Sequence, residues 1–126
     1  MMKTVLLVDD SASFRELIKV YLMGRDIRFL VAGNGFRALH LARVMDIDLA
    51  IVDVRMPGMD GIAFVKELRS NQPPATRRVP VILISGEAAG DLEARCMEAG
   101  ADAFLTKPIT AEPIRALYRD LVESGV

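Results

Sequence analysis

Cysteine and histidine are almost absent from this chain of 126 residues, which carries one of each, Cys96 and His40. A single cysteine cannot form an internal disulfide bond or share a metal ion with a second thiolate. We therefore expect Cys96 to pack as a small apolar side chain in a reduced, cytoplasmic protein. We interpret His40 as a surface residue of the second predicted helix.

Net charge is also nearly absent, because 16 Lys and Arg residues balance 17 Asp and Glu residues. This balance gives no electrostatic reason to expect nucleic acid or an anionic membrane as a partner. The apolar run Val5–Val8 ends at Asp9, and it is too short for a signal peptide or a membrane span. The sequence therefore predicts a soluble, cytoplasmic protein with no direct nucleic-acid or membrane partner.

Hydrophobic residues, in contrast, make up 52% of the chain. This content is sufficient for one domain with a substantial core, which we expect to span residues 1–126. Short apolar runs predict five β-strands, at Thr4–Val8, Arg28–Val31, Leu49–Val52, Val81–Ile84 and Ala103–Leu105. The first, third and fourth runs contain almost no polar residues, as is typical of strands covered on both faces. The second and fifth are more mixed, which favours the edges of the sheet.

Helical spacing of apolar residues fills the segments between these runs, most clearly over Phe14–Leu22. Ser13 and Glu16 have the spacing of a capping box, and Asp91 is a candidate cap for the fourth helix. The pair Pro73–Pro74 predicts an exposed connection. Strands and helices that alternate in this way predict an α/β, flavodoxin-like (βα)5 fold with a doubly wound, parallel five-stranded sheet of order 2-1-3-4-5.

Acidic residues follow two of the predicted strands, Asp9 and Asp10 after the first and Asp53 after the third. In a doubly wound sheet these strand ends meet where the strand order reverses, which is the usual position of a ligand. Carboxylates close together repel one another, and a hard divalent cation such as Mg²⁺ relieves the repulsion. The alternative for a single Asp is a cap on the following helix.

A hydroxyl and an ammonium are predicted at the same edge, because Ser85 ends the fourth strand and Lys107 follows the fifth. Taken singly, Ser85 is typical of a turn and Lys107 of a solvated surface. Beside an acidic cluster, the pair favours a site that also receives a phosphoryl group, whose oxygens need donors.

Four segments resemble the receiver domain of bacterial two-component response regulators of the chemotaxis-regulator type. They are Val5–Asp10, Ile51–Gly61, Pro80–Gly86 and Gly100–Pro108, and together they extend over nearly the whole chain in the order of that family.

The resemblance implies that Asp53 is the phosphoacceptor for a histidine kinase or a phosphotransfer protein. It also implies that Mg²⁺ is held by Asp9, Asp10, Asp53 and the backbone carbonyl of Arg55, while Ser85 and Lys107 bind phosphoryl oxygens. Ser85 and Phe104 are the implied switch residues, and the Lys107–Pro108 bond is predicted to be cis. We expect Arg55 and Glu87 to approach each other and lengthen the lifetime of the phosphoryl group.

The implied output is a changed protein-binding surface, formed by the fourth predicted helix, the fifth strand and the fifth predicted helix. Candidate contact residues there are Arg95, Glu98, Arg115 and Arg119. An effector domain attached to the chain is an alternative output.

Other classes are less compatible with the residues. A phosphohydrolase of the haloacid-dehalogenase type would carry an acid two residues after Asp53, where this chain has Arg55. A nucleotide or flavin module would need a glycine-rich loop after the first strand. A phosphorylation-independent pseudo-receiver is the alternative for the function, although the acidic residues, Ser85 and Lys107 argue against it.

Overall fold

All five predicted strands form in the computed structural model, which describes residues 1–87 and 90–124. The strands are β1 (Lys3–Val8), β2 (Ile27–Ala32), β3 (Leu49–Asp53), β4 (Val81–Ser85) and β5 (Ala103–Thr106). The helices are α1 (Ala12–Tyr21), α2 (Gly35–Val44), α3 (Gly61–Arg69), α4 (Pro74–Arg77), α5 (Leu92–Ala99) and α6 (Ala111–Tyr118), and the π-helical turn Arg119–Glu123 continues α6.

The strands make one parallel sheet of order β2-β1-β3-β4-β5. This result confirms the predicted order, with β2 and β5 at the edges. Every residue of β3 and β4 is buried, because helices cover both faces of the sheet. The near-continuous apolar runs follow from this burial, since neither face of a central strand meets water.

Two apolar clusters lie on opposite faces of the sheet, and alternate strand residues supply them in turn. Leu6, Val52 and Leu83 face the cluster beneath α2, α3 and α5, which also contains the buried Cys96. Leu7, Ile51 and Ile84 face the cluster beneath α1 and α6. His40 is exposed on α2, as predicted.

The predicted capping box at Ser13 and Glu16 is wrong. Ser11 is the N-cap of α1, and its side chain accepts a hydrogen bond from the N–H of Phe14 at 3.3 Å. The N–H of Ser11 in turn donates to the Asp9 carboxylate at 2.7 Å. This tight turn after β1 starts the helix earlier, so Ser13 lies inside it.

Pro73 and Pro74 are exposed, as predicted, but the connection that they begin contains a short helix that was not predicted. Pro74 begins the one-turn helix α4, in agreement with the preference of proline for the first helical position. The buried Thr76 hydroxyl donates to the carbonyl of Ala42 at 3.4 Å, which attaches this turn to α2. Asp91 precedes α5 as predicted, but its side chain makes no capping hydrogen bond.

Arg69, at the end of α3, connects several chain segments through its guanidinium group. It donates to the carbonyls of Gly100 at 3.0 Å and Val79 at 2.7 Å, and to the Asp102 carboxylate at 3.0 Å. Asp102 also accepts the N–H of Val81 at 2.8 Å. The first residue of β4 and the turn before β5 are thereby bound to α3. None of the described helices is long and apolar enough to cross a membrane.

Arg69→Ala is expected to lower the free energy of unfolding by about 2–3 kcal/mol, because it leaves carbonyl groups and the Asp102 carboxylate without their donor. Urea unfolding followed by circular dichroism measures the change. The matched control is Arg78→Ala, which removes an exposed arginine beside α4 and is expected to have little effect. Equal stability of the two variants would contradict this account.

Candidate functional site

The polar residues predicted at the strand ends lie together at the carboxyl edge of the sheet. Asp9 directly follows β1, while Asp53 and Ser85 are the last residues of β3 and β4. Lys107 follows β5, and its N–H donates to the carbonyl of Ser85 at 2.7 Å. Parallel pairing places these ends side by side, with Asp53 beside Ile84 and Ser85 beside Thr106.

The Lys107 ammonium lies between two of the carboxylates. Its Nζ donates to Oδ2 of Asp53 at 3.1 Å and lies 3.5 Å from Oδ2 of Asp9. The Lys107–Pro108 peptide bond is cis, as predicted. The contact between Lys107 and Asp53 joins residues that are 54 positions apart in the sequence.

Asp53 is fixed by main-chain contacts as well as by Lys107. Its Oδ1 accepts the N–H of Arg55 at 2.9 Å. The chain then passes close to its own strand, because the N–H of Gly61 donates to the carbonyl of Val54 at 2.8 Å. A Cβ atom on Gly61 would lie 2.6 Å from the carbonyl oxygen of Asp53, so only glycine allows this approach.

Asp9 is 2% exposed, and its two carboxylate oxygens differ in their partners. Oδ1 accepts the N–H of Ser11 at 2.7 Å. Oδ2 is buried and accepts no hydrogen bond from residues 1–87 or 90–124. Burial raises the pKa of Asp9 above its ordinary value, and the charge of Asp53 raises it further, while the Ser11 N–H and Lys107 oppose the rise.

The pKa of Lys107 is also raised, but here burial opposes the shift. Burial alone would lower the pKa of its ammonium, but the hydrogen bond to Asp53 and the charges of Asp53 and Asp9 outweigh burial and leave the pKa above its ordinary value. The site therefore keeps one positive charge against its acidic groups at neutral pH.

The donor set is compatible with a hard divalent cation. A buried carboxylate oxygen without a hydrogen-bond donor, beside a second carboxylate, suits an all-oxygen site of the kind Mg²⁺ prefers. Asp10 is exposed next to Asp9. Across the described ranges, no group of three His, Cys, Asp or Glu side chains is gathered as a ready-made metal site. The structure thus brings Asp9 and Asp53 together and leaves the Asp10 side chain at the surface.

The two predicted switch residues lie in different environments. Ser85 is 1% exposed, and its Oγ accepts the N–H of Glu87 at 3.0 Å. Phe104 is half-buried on β5, where it pairs in register with Leu83 and packs against the cluster beneath α2, α3 and α5.

Arg55 and Glu87 meet across the mouth of the site, as predicted. The Arg55 guanidinium donates to the Glu87 carboxylate, although the side chains are 72% and 54% exposed. Such an exposed pair adds little to folding stability.

Helix α1 contributes two residues that the sequence did not assign to the site. The Arg15 guanidinium donates to the carbonyl of Asp9 at 2.6 Å, and the Phe14 ring faces the Lys107 ammonium. Phe14 was assigned to the apolar stripe of α1, and it does pack against the cluster there. The sequence did offer one signal for a place in the site, because Phe14 follows the Asp9-Asp10 pair by about one helical turn.

The comparison with known proteins agrees with this geometry. The profile of the response regulator receiver domain matches residues 5–119. The chain belongs to the response regulator receiver family. This receiver domain is 32% identical to the chemotaxis protein CheY-3 of Vibrio cholerae over 114 residues, which cover 88% of the chain and 85% of that protein.

Solved structures resemble this receiver domain over almost its full length. CheY4 of Vibrio cholerae, crystallised at low pH, superposes with a TM-score of 0.85 at 29% identity and covers 97% of this chain and 100% of its own. The receiver domain of the Pseudomonas aeruginosa sensor histidine kinase PA1611, with magnesium coordinated in its active-site cleft, has a TM-score of 0.85 at 26% identity. That similarity covers 98% of this chain and 99% of the other.

Other relatives are much longer proteins. A cyclic di-GMP phosphodiesterase of Thermotoga maritima is 34% identical over 112 residues, which cover 89% of this chain but 29% of that protein. The response regulator GtcR of Aneurinibacillus migulanus is 33% identical, and the match covers 94% of this chain and 46% of GtcR. The receiver domain thus spans less than half the length of these relatives. Receiver domains interact with histidine kinases and with downstream effectors.

Asp9→Asn is expected to raise the free energy of unfolding at pH 7 by about 0.5–2 kcal/mol in the absence of divalent cations. The raised pKa of Asp9 means that the folded state retains a proton the unfolded state has lost. Ionised Asp9 therefore costs stability above its folded pKa, and this cost disappears as the pH falls below the ordinary Asp value.

Urea unfolding between pH 3 and pH 8 measures this effect, with exposed Asp46 as the control in Asp46→Asn. The gain from Asp9→Asn should shrink toward low pH, whereas Asp46→Asn should match the parent protein throughout. A loss of stability in Asp9→Asn at pH 7 would show that its carboxylate is favourable and would refute the prediction.

Proposed function

We propose that Asp53 accepts a phosphoryl group from the phosphohistidine of a histidine kinase or a phosphotransfer protein, and that this modification switches a protein-binding surface. The position of the Asp53 carboxylate supports the proposal best. One oxygen is held by the Arg55 N–H at 2.9 Å and the other by the Lys107 ammonium at 3.1 Å. Few structural roles require an aspartate fixed in this way beside a second, buried carboxylate.

The proposed step is a displacement at phosphorus. A carboxylate oxygen of Asp53 attacks the phosphorus atom, the P–N bond to imidazole breaks, and a P–O bond forms an acyl phosphate. The imidazole takes the electron pair of the P–N bond and leaves as a neutral ring when its other nitrogen carries a proton. Lys107 lies close enough to Asp53 to bind an oxygen of the incoming phosphoryl group and to stabilise its negative charge. Stabilisation of this charge is the main requirement that phosphoryl transfer makes of a protein.

The residues that would hold Mg²⁺ are Asp9, Asp10, Asp53 and the backbone carbonyl of Arg55. When bound, the cation neutralises negative charge on the carboxylates and on the transferred group. Oδ2 of Asp9 supports this assignment, because it is buried and accepts no hydrogen bond within the described residues, and the Lys107 ammonium at 3.5 Å offsets its charge only in part.

Ser85 and Phe104 are the proposed switch. The Ser85 hydroxyl accepts one backbone N–H, and no hydrogen bond donated by it is recorded among the residues that the structure describes, so it can donate to a phosphoryl oxygen. Movement of Ser85 toward the phosphate would open space near Phe104, which is half-buried on the neighbouring strand.

The proposed output surface consists of α5, β5 and α6, which are the fourth predicted helix, the fifth strand and the fifth predicted helix. Arg95, Glu98 and Arg119 are exposed there, in keeping with contacts to a downstream protein. Arg115 is half-buried and donates to the carbonyl of Tyr21 at 2.9 Å, so it joins α6 to α1 and is the weaker candidate.

The proposal predicts that acetyl phosphate and Mg²⁺ add one phosphoryl group to the protein, as measured by intact-mass spectrometry. Asp53→Asn should abolish this gain, because an amide cannot form the acyl phosphate. Asp46→Asn, at an exposed carboxylate, should leave it unchanged. Beryllofluoride with Mg²⁺ should change the amide spectrum of the parent protein and not that of Asp53→Asn.

Absence of both the mass gain and the beryllofluoride response in the parent protein would favour the phosphorylation-independent pseudo-receiver. A gain that persists in Asp53→Asn would move the modification to another residue.

The Arg55–Glu87 pair predicts a second measurable property, the lifetime of the acyl phosphate. The pair crosses the mouth of the site and is proposed to hinder water from reaching phosphorus. Glu87→Ala is expected to speed dephosphorylation roughly threefold to tenfold, a change of about 1 kcal/mol in the barrier. Glu93→Ala, at an exposed position on α5, is the control. Equal lifetimes in Glu87→Ala and the parent would discard this role.

A further inference from the structure

The Lys107 ammonium has an aromatic neighbour in addition to its two carboxylates. Its Nζ lies 4.6 Å from the centre of the Phe14 ring. The face of an aromatic ring carries negative electrostatic potential and attracts a cation at this distance. We infer that Phe14 is a positioning residue, which holds the Lys107 ammonium beside Asp53 through a cation–π interaction. This inference rests on the proposed phosphoacceptor role of Asp53.

The surroundings of the ammonium explain why such a partner matters. Lys107 donates to Asp53 at 3.1 Å and approaches Asp9 at 3.5 Å, and its side chain is 30% exposed. A flexible lysine at this exposure readily turns toward water, because its four-carbon stem has several rotamers. The Phe14 ring provides a further favourable contact for the charge and covers part of the ammonium on the α1 side.

The position of the Phe14 ring is fixed by hydrogen bonds at both ends of helix α1. The Phe14 N–H donates to the Ser11 hydroxyl at 3.3 Å, and the next residue, Arg15, donates to the carbonyl of Asp9 at 2.6 Å. Farther along α1, the Tyr21 hydroxyl donates to the carbonyl of Ile109 at 2.9 Å. Helix α1 is thus bound to the segment before Phe14 and to the segment after Lys107, and this double attachment fixes the distance between ring and ammonium.

A ring is better suited to this position than another hydrogen-bond acceptor. During transfer, Lys107 must shift from an Asp53 oxygen to a phosphoryl oxygen. A hydrogen bond weakens steeply when its angle changes, whereas a cation retains its attraction to a ring face over a range of positions. Phe14 can therefore stabilise the ammonium both before and after the shift. Leucine would fill similar space but would offer the charge no such attraction.

The test separates ring electronics from ring shape. Site-specific replacement of Phe14 by phenylalanine analogues with one, two and three ring fluorines weakens the negative face stepwise and changes size little. The rate of phosphorylation by acetyl phosphate with Mg²⁺ should fall with each fluorine, roughly twofold to tenfold across the series. Phe14→Leu should resemble the trifluoro protein, and Phe14→Tyr should retain most of the rate. The same analogues at Phe29, which is half-buried against the same cluster, should have no effect.

If the parent protein is phosphorylated and the phosphorylation rate does not depend on the number of fluorines, the inference is overturned and the proposed function remains intact. If the parent protein is not phosphorylated, the proposed function fails, and the ring contact is decided by NMR. The ε-protons of Lys107 should be shifted upfield by the ring current in the parent protein and lose that shift in Phe14→Leu. Unshifted ε-protons in the parent protein would overturn the inference directly.

Discussion

The placement of one ammonium between two carboxylates governs this site. Asp9 and Asp53 approach each other where two neighbouring strands end, and Asp9 is almost fully buried. Without a positive charge the two would repel each other in a poorly solvated environment. Lys107 supplies that charge from the segment after a third strand, β5, and its own burial is compensated by the two acids. Within residues 1–87 and 90–124, Oδ2 of Asp9 nevertheless accepts no hydrogen bond, so the cluster retains capacity for another cation.

The parallel sheet brings these groups together. Because β1, β3, β4 and β5 all run in one direction, their carboxyl ends share an edge, and residues that follow them meet without any local sequence relation. Burial on both faces keeps the strands in register, since a slip by one residue would exchange the side chains of the two clusters. The close approach at Gly61 and the Arg69 hydrogen bonds add two further constraints on the segments that carry Asp53 and Lys107.

Helix α1 links the acidic end of the site with its basic end. Its first turn is ordered by the Asp9 carboxylate through Ser11, and its later residues reach the segment after Lys107 through Tyr21. Helix α1, whose apolar stripe packs on the core, therefore also carries Phe14 and Arg15 against Lys107 and Asp9. In a domain that belongs to the receiver family, this gives the first helix a part in the geometry of Asp53 and Lys107.

The sequence by itself determined the strand order and the gathering of Asp9, Asp53, Ser85 and Lys107, because period and strand direction leave few alternatives. It also determined that Arg55 and Glu87 meet, through the family resemblance. It misplaced the start of α1, missed α4 and overlooked Phe14 as a neighbour of Lys107. These features depend on contacts between distant residues: Asp9 turns the chain at Ser11, Ala42 receives Thr76, and Lys107 meets Phe14 across the sheet edge. Only the tertiary structure decided these features. A local pattern shows which side chains are apolar, but it does not show which distant charged or polar group each of them contacts.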